Sequence, residues 1–438
     1  MTYPRLLGTV CSAICLMSSS AVFAAGGTPT NIKSRLDRLE TSQLRNSMVL
    51  PYFFSSDSMG TNIGVGGMIK GIHQDQMVVG GTIFGGTESH ALSAGIWNYM
   101  IPGTERVFLS TFGMWGYYPK QRAYTGYNVP AGTPLPGSND SSSEQYFEGS
   151  GNSNWWDIKL EYVLPIGANK HSGTVDYQVK NGLLVSAPTG GREWNPLTSG
   201  TTIFVARQFN RYQSFETDSG DIDGTIHAME FGVYYDNTDF APNPSYGTRH
   251  YISTSHDWGW LESKQEWSFY EFDTSAFFSL GESHWASQRI VALNFWTGYS
   301  PTWEVESDSS GNSSVSGNAP YNEGATLGGF TRMRGYDMNR FHDKAVIYGA
   351  AEYRYTLRNN PLKDVNWLKF LRIDWIQLVG FAEVGRVGPE YNASNLLTDM
   401  KYDAGVSVRA LMAGLVVRTE LATSPESTNF WLMVDHPF

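Results

Sequence analysis

Cysteine is nearly absent from the sequence, and its two copies lie close to the start. Cys11 and Cys15 fall in the apolar stretch 6–23, which a basic residue precedes and Ala24 follows. This pattern predicts a secretory signal peptide at 1–24, cleaved after Ala24. A membrane-anchoring helix is the alternative, which three serines at 18–20 disfavour. Cleavage would leave an exported chain with no disulfide, no thiolate nucleophile and no cysteine metal site.

Long hydrophobic runs and charged residues are also scarce. No run of about 18 apolar residues follows position 24, which excludes a membrane-crossing helix in the rest of the chain. Charged residues make up 17% of the sequence, against roughly 25% in soluble proteins. Aromatic residues make up 14%, and glycine occupies 46 of 438 positions. This composition favours one large barrel, and the net charge of −11 argues against nucleic acid as a partner.

Alternation of apolar and polar residues with a period of two dominates the chain after position 48. The predicted strands lie at 60–72, 75–86, 88–101, 104–118, 154–165, 172–187, 200–215, 226–237, 248–260, 265–280, 286–299, 345–358, 371–386, 402–411, 413–422 and 427–438. Sixteen is an even number, as a closed single-chain barrel with both ends in the periplasm requires. The predicted fold is therefore an all-β, 16-stranded antiparallel transmembrane β-barrel of outer-membrane type over 49–438.

Three segments fall outside the predicted strands. In the short periplasmic leader 25–48, Ile32, Leu36 and Leu39 have helical spacing, which fits a short amphipathic helix or equally a loose linker. Segments 119–152 and 300–344 are rich in glycine, serine, asparagine and proline, as loops are. Strand parity places 300–344 on the extracellular side and 119–152 on the periplasmic side, where turns are usually short. Either that turn is unusually long or the count of early strands is locally wrong.

Charged residues of the last predicted strands fall on one face only. Glu352 and Arg354 share a face, and Arg409, Arg418 and Glu420 follow the same rule in later strands. A barrel turns its apolar face to lipid and its charges to the lumen. A soluble sandwich would give the same alternation, but the signal peptide, the length and the end of the chain favour the barrel. These lumen charges predict a functional network or, more simply, ordinary charge pairing in a polar lumen.

The end of the chain has the pattern of a last barrel strand. Phe430, Leu432, Val434 and Phe438 occupy alternate positions, so we expect them on one face. A terminal phenylalanine on an alternating strand resembles the recognition signal that the outer-membrane assembly machinery reads. Pro437 cannot donate to a ladder, but at a strand end it is tolerated.

Three motifs near the end of the chain resemble those of the BamA/TamA family, the bacterial surface antigen barrels. Arg334-Gly335-Tyr336 matches the family's Arg-Gly-aromatic tripeptide at the tip of a long extracellular loop folded into the barrel. The next strand carries the expected Glu-aromatic-Arg pattern at 352–354. The strand after it has Phe381-x-Glu383-x-Gly385, with glutamate where the family has aspartate. The resemblance covers 226–438 well and the earlier barrel loosely.

The resemblance implies a role for each motif residue. Arg334 would reach Glu383 inside the lumen, where its planar fork suits two-point binding. Gly335 would allow a backbone turn that a Cβ forbids, and Tyr336 would pack on the lumen wall near Phe381. A solvated loop arginine is the alternative, which three motifs in the right order disfavour.

Catalytic and metal-binding patterns find little support. The sequence has no GxSxG, HExxH or phosphate-binding glycine loop. Acidic residues from Ser219 to Glu230 match calcium-loop spacing, but the first position is serine and the flanks indicate strands. We expect an acidic extracellular loop there, and we predict no enzyme activity, no metal and no cofactor.

The family resemblance implies a protein that assists insertion or translocation of other proteins at the outer membrane. A client strand would pair at a weak seam between the first and last strands. Family members usually carry POTRA domains before the barrel, and 25–48 is too short for one. The expected partners are outer-membrane lipid, the barrel assembly machinery and, beyond these, client proteins or a periplasmic accessory subunit. A passive channel or structural barrel is the main alternative.

Overall fold

The structure is a computed structural model that describes most of the chain. Described residues are 30–39, 46–56, 59–126, 129–130, 132–191, 193–217, 220–263, 265–320, 322–412 and 414–438. The predicted signal peptide, 1–24, lies outside them. Within these ranges no helix is both long enough and apolar enough to cross a membrane.

The described residues form 23 strands. In chain order they are β1 (Ser34–Arg38), β2 (Asn46–Ser56), β3 (Gly60–Lys70), β4 (Val78–Gly86), β5 (His90–Met100), β6 (Val107–Ala123), β7 (Phe147–Val163), β8 (Val175–Lys180), β9 (Leu183–Leu184), β10 (Thr201–Thr217), β11 (Gly220–Thr238), β12 (Gly247–Trp258), β13 (Glu266–Ser279), β14 (Ala286–Tyr299), β15 (Glu304–Ser307), β16 (Ser313–Ser316), β17 (Thr326–Leu327), β18 (Phe341–His342), β19 (Ala345–Leu357), β20 (Ile373–Gly388), β21 (Lys401–Met412), β22 (Leu415–Thr423) and β23 (Thr428–Val434). Short helices occupy Gly167–Asn169, Asn366–Leu371 and Ala393–Leu396.

Sixteen of these strands form one antiparallel sheet in chain order. It runs from β2 through β3–β7, β10–β14 and β19–β22 to β23. Two insertions interrupt the order, one between β7 and β10 and the other between β14 and β19. The sheet confirms the predicted 16-stranded antiparallel barrel.

One predicted barrel strand is not in the sheet, and one strand of the sheet was not predicted, so the number of barrel strands is still sixteen. Segment 172–187 is not in the barrel, because β8 pairs in parallel with β1 and antiparallel with β9 in a small separate sheet. Its alternation is real, since Val175, Tyr177 and Val179 are buried against Phe240, but a period of two does not reveal which sheet a strand joins.

The missing barrel strand is β2, which the prediction left partly in the leader. Its sequence NSMVLPYFFSS has little alternation and carries Pro51, which argues against an interior strand. Pro51 is tolerated because β2 is the first strand of the ladder. Within the leader, 34–38 forms β1, which is neither the helix nor the linker considered above.

The corrected strand order moves the long early loop to the other end of the barrel. Loop 124–146, between β6 and β7, lies at the same end as 300–344, which we call the loop end. Val129 pairs with Ser313 there, and the His342 amide donates to the Gly137 carbonyl at 2.7 Å. The prediction that 119–152 and 300–344 lie at opposite ends of the barrel was therefore wrong. The opposite end, which carries Phe438, is called the terminal end.

The two faces of the sheet differ as a membrane barrel requires. On β19–β22 the outward side chains Tyr353, Leu378, Val406 and Leu421 are between 43% and 61% exposed. The alternate positions on these strands point inward and are buried. Apolar side chains on the outside of a sheet suit lipid rather than water.

Candidate functional site

Loop 300–344 folds into the lumen as a narrow hairpin. β17 and β18 pair at Thr326–His342 and Leu327–Phe341, and residues 328–340 between them form the loop tip. Gly328 has a φ of +112°, and a Cβ there would lie 2.2 Å from the Asp337 carbonyl oxygen. This tight reversal therefore needs glycine, and it points the tip at the inner face of the last strands.

Arg334 is completely buried at the tip of the loop. Its backbone amide donates to Glu383 Oε2 at 2.7 Å, and its Nε lies 3.1 Å from the same oxygen. Its Nη1 lies 3.0 Å from Glu352 Oε1 and 2.9 Å from Glu420 Oε1. The guanidinium carbon lies 3.5 Å from the centre of the Phe381 ring. The structure thus brings Arg334 to Glu383, but the guanidinium contacts three carboxylates instead of binding one of them at two points.

The predicted lumen charges surround Arg334 and pair with one another. Arg409 Nη2 lies 2.7 Å from Glu352 Oε1, and Arg354 Nε lies 2.8 Å from Glu352 Oε2. Glu420 pairs with Arg409 at 3.3 Å and also with Arg418. We call this set the buried charge cluster: Arg334, Glu352, Arg354, Glu383, Arg409, Arg418 and Glu420. The side chain of every member is at most 1% exposed.

Burial makes this cluster dependent on complete pairing. Removing ions from water costs several kcal/mol each, and attraction offsets this only where partners are close and well oriented. Loss of Arg334 would remove the cation that pairs with buried Glu383, and one of the arginine partners of Glu352 and of Glu420. The cluster therefore fixes the loop tip in one position, which an exposed set of ion pairs would not do.

Gly335 lets the loop tip approach the barrel wall. Its amide donates to Asp403 Oδ2 at 2.7 Å, and its carbonyl accepts from Ser427 Oγ at 2.7 Å. A Cβ would lie 2.7 Å from Asp403 Cβ and 2.8 Å from the Thr423 carbonyl carbon. Close approach, rather than the expected backbone turn, is what requires glycine here.

Tyr336 is buried, but its ring has a different neighbour from the one expected. It packs edge-on against Phe341, with the ring centres 5.1 Å apart, and its hydroxyl donates to the Tyr402 carbonyl at 3.3 Å. The expected neighbour Phe381 instead lies beneath the Arg334 guanidinium. Gly385, on the same inward face as Phe381 and Glu383, leaves room for the loop, since a Cβ would lie 2.9 Å from Leu327 Cδ1.

Several residues that the sequence did not single out also hold the loop. Trp431 Nε1 donates to the Arg334 carbonyl at 2.8 Å, and Tyr348 donates to Glu383. Trp431, Tyr348 and Asp403 lie at inward positions, so strand parity could have found them. Arg340 is a loop residue that donates to Glu426 Oε2 at 2.6 Å and to the Ser141 carbonyl at 2.6 Å. No sequence pattern pointed to it.

The last residues depart from the predicted alternation. Phe430, Leu432 and Val434 share a face on β23, opposite the buried Trp431 and Met433. Phe438 does not continue this face, because β23 ends at Val434 and Asp435 has a φ of +71°. Its ring lies 5.2 Å from the Arg354 guanidinium and is only 8% exposed. The prediction that all four share one face was wrong at Phe438.

A cavity of about 1400 Å³ occupies the lumen, and its lining extends from Tyr124 near the loop end to Phe438 at the terminal end. The leader contributes to its lining with 30–32, Ser34 and Leu36. Lys33 lies 2.8 Å from Glu161, with both side chains fully buried, and burial lowers the pKa of Lys33 to about 8. The leader is thus held inside the barrel mouth.

The described residues hold no group of three or more metal-binding side chains. The acidic run that matches calcium-loop spacing falls at the turn between β10 and β11. Asp223 lies within β11, whereas Ser219 lies outside the described part of the chain. The expected acidic loop is therefore largely a continuation of the strand.

Known proteins with this architecture are similar in fold but distant in sequence. The Omp85 superfamily domain matches residues 105–424. BamA from Haemophilus ducreyi lacking POTRA domains 1–3 has 10% identity and a TM-score of 0.45, covering 89% of this chain and 69% of that chain. CdiB from Escherichia coli has 8% identity and a TM-score of 0.50, covering 89% and 62%. CdiB from Acinetobacter baumannii has 11% identity and a TM-score of 0.46, covering 89% and 59%.

The chain spans less than two thirds of each CdiB chain, and the 8% identity to the Escherichia coli protein shows the fold alone. No curated protein matches the sequence. The family itself rests on the domain match, which extends over most of the barrel and includes the loop tip and its carboxylate partners. The chain, whose motifs resemble the BamA/TamA barrels, belongs to the Omp85 superfamily.

Proposed function

We propose that this protein is a barrel of a Gram-negative outer membrane that assists the insertion or translocation of other proteins there. The observation that carries the proposal is the completely buried Arg334, which fastens the loop to four of the last five strands. Its side chain contacts Glu352 on β19, Glu383 on β20 and Glu420 on β22, and its carbonyl contacts β23.

This arrangement suits a barrel in which the last strands are held in place and the first strand can separate from them. The tip holds β19–β23 together, so strain from an arriving strand would fall on the seam between β23 and β2. β23 has only 7 residues against 11 in β2, and Pro51 of β2 has no amide hydrogen to offer a ladder. An incoming client strand could pair with a strand edge at this seam through backbone hydrogen bonds alone.

The proposed work needs no covalent chemistry. Members of the superfamily are transporters or insertases rather than enzymes. We propose outer-membrane lipid, the barrel assembly machinery, client outer-membrane proteins and a periplasmic accessory subunit as partners. In this setting the loop end faces the exterior and the terminal end faces the periplasm.

A passive channel is the second candidate, because the lumen contains the cavity of about 1400 Å³. Single-channel recording separates the two proposals. A mostly closed barrel would favour insertion at the seam, whereas a steady, ion-selective open pore would favour the channel.

The direct test is depletion of the protein in its host, followed by measurement of how much of other barrels reaches the folded state. Folded barrels migrate faster than unfolded ones on unheated gels, which makes the folded fraction measurable. We expect the folded fraction of client barrels to fall on depletion. Restoration by the native protein but not by Arg334→Ala would link that activity to the loop tip, and unchanged client folding would refute the proposal.

A further inference from the structure

The turn 358–372 at the terminal end exposes an unusual apolar surface. It joins β19 to β20 and contains the short helix Asn366–Leu371, on which Trp367 is 66% and Phe370 is 61% exposed. The described backbone hydrogen bonds of residues 360–371 join residues of the same turn, so the helix is held locally. Two neighbouring exposed aromatic side chains of this size indicate a surface that contacts something other than water.

Basic residues accompany these aromatics. Lys363, Lys369 and Arg372 are exposed in the same turn, against a single acidic residue, Asp364. A short helix with aromatic residues and lysines close together has the composition of segments that lie in a membrane interface. There the aromatic rings enter the boundary of the acyl chains while the ammonium groups remain at the level of the phosphates.

The neighbouring turn extends the same surface sideways. In turn 280–285, between β13 and β14, Trp285 is 71% exposed. Arg358 ties the two turns together: its Nη2 lies 2.7 Å from Glu282 Oε2, and its amide donates to the Trp285 carbonyl at 2.9 Å. The aromatic surface is therefore a fixed feature of two linked turns rather than one stray side chain.

This surface is continuous with the lipid-facing side of the barrel. Phe278 precedes one turn and Leu280 begins it, while Tyr353 and Leu378 lie on the strands beside the other, all between 43% and 52% exposed. A lipid surface is therefore the occupant that the geometry favours, since a membrane that covers the strands reaches the turns that end them. The excess of positive charge specifies lipids with anionic headgroups.

We propose that turns 280–285 and 358–372 form a membrane-contacting patch that binds anionic phospholipid headgroups at the terminal end of the barrel. Trp285, Trp367 and Phe370 enter the interface, and Lys363 and Lys369 meet the phosphates. The proposal rests on the membrane location in the proposed function, but it does not depend on protein insertion.

A fluorescent probe on the full chain tests the membrane contact. Leu368→Cys, with Cys11→Ser and Cys15→Ser, gives one labelling site for an environment-sensitive dye. In vesicles of phosphatidylcholine and phosphatidylglycerol, we expect spin-labelled lipids to quench this dye at least about threefold more than a dye at the loop-end position Ser310→Cys. A dye at 368 that remains as water-exposed as the one at 310 would overturn the proposal.

Charge selectivity is tested by bound lipid. Native mass spectrometry of the detergent-extracted barrel would compare retained phosphatidylglycerol with phosphatidylcholine. We expect Lys363→Gln with Lys369→Gln to lower this preference about tenfold. The control, Lys170→Gln with Lys180→Gln, removes two exposed lysines from another segment of the same end and should leave the preference unchanged.

Equal lipid selectivity in both double variants would overturn the headgroup assignment. A dye at 368 that becomes shielded only when a periplasmic protein is added would show a protein-docking surface instead. Neither measurement involves a client protein, so failure here would leave the insertion proposal standing, and failure of insertion would leave this patch standing.

Discussion

The stability of the loop's position in the lumen depends strongly on one side chain, that of Arg334. It pairs with Glu352, Glu383 and Glu420, whose side chains are fully buried, so each carboxylate depends on it for part of its compensation. The sequence predicted its pairing with Glu383 by resemblance, and the alternation placed the other charges inward. It did not predict that one guanidinium spans all three carboxylates, because contacts between different strands depend on register and barrel curvature.

Arg334→Ala should destabilise the folded barrel by about 3–5 kcal/mol, because it removes the cation that pairs with the buried Glu383 carboxylate. The measurement is the temperature at which the fast-migrating folded band disappears from a gel. Arg35→Ala is the matched control, since it breaks an exposed pair with Asp176, and we expect a change of at most about 1 kcal/mol. Equal melting of Arg334→Ala and the native protein would contradict the assigned role.

Gly335→Ala tests close approach rather than charge. The new Cβ would crowd Asp403 and the Thr423 backbone, so the loop tip must shift, which we expect to cost about 1–3 kcal/mol. Gly380→Ala is the control on β20, where a Cβ meets nothing within 4 Å and the expected change is within about 0.5 kcal/mol. The same gel assay compares them, and equal stability would show that the tip adapts.

At the scale of elements, most strands could be predicted because alternation reports a two-faced environment directly. It fails where a strand has no such pattern, as in β2, or where a two-faced strand belongs to another sheet, as in β8. It also fails beyond a strand end, since the positive φ of Asp435 turns Phe438 into the lumen. Sequence periodicity carries no information about such a change of direction.

The position of Phe438 gives the end of the chain a structural role beside its proposed role as an assembly signal. Phe438→Ala should lower the stability of the assembled barrel by about 1.5–3 kcal/mol through lost burial, and it should also slow assembly. Leu432 lies on the face of β23 opposite the buried Trp431 and Met433, so Leu432→Ala should leave the lumen contacts intact. Following folded-band formation and its melting separates the two effects. Slow assembly with native melting would mean that Phe438 acts only as a signal.

At the scale of the whole molecule, the lumen is occupied from both ends. The loop tip enters from the loop end, while the leader and β8 lie at the terminal end with Lys33 and Glu161 buried together. The cavity between them is lined by both segments. We therefore predict that conduction through the barrel depends on whether the leader stays paired with β8.

An engineered disulfide can hold that pairing. Arg35 and Asp176 are directly paired between β1 and β8 and are both exposed, so replacing both with cysteine should spare the core. Neighbouring positions in a ladder have the separation that a disulfide needs. With Cys11 and Cys15 replaced by serine, we expect low, steady single-channel conductance in the oxidised protein and more frequent openings after reduction. Deletion of 30–39 should raise conductance further, whereas Arg35→Ala with Asp176→Ala controls for the lost ion pair. If the oxidised and deleted forms conduct equally, the leader does not control the lumen, and ions must cross by another route.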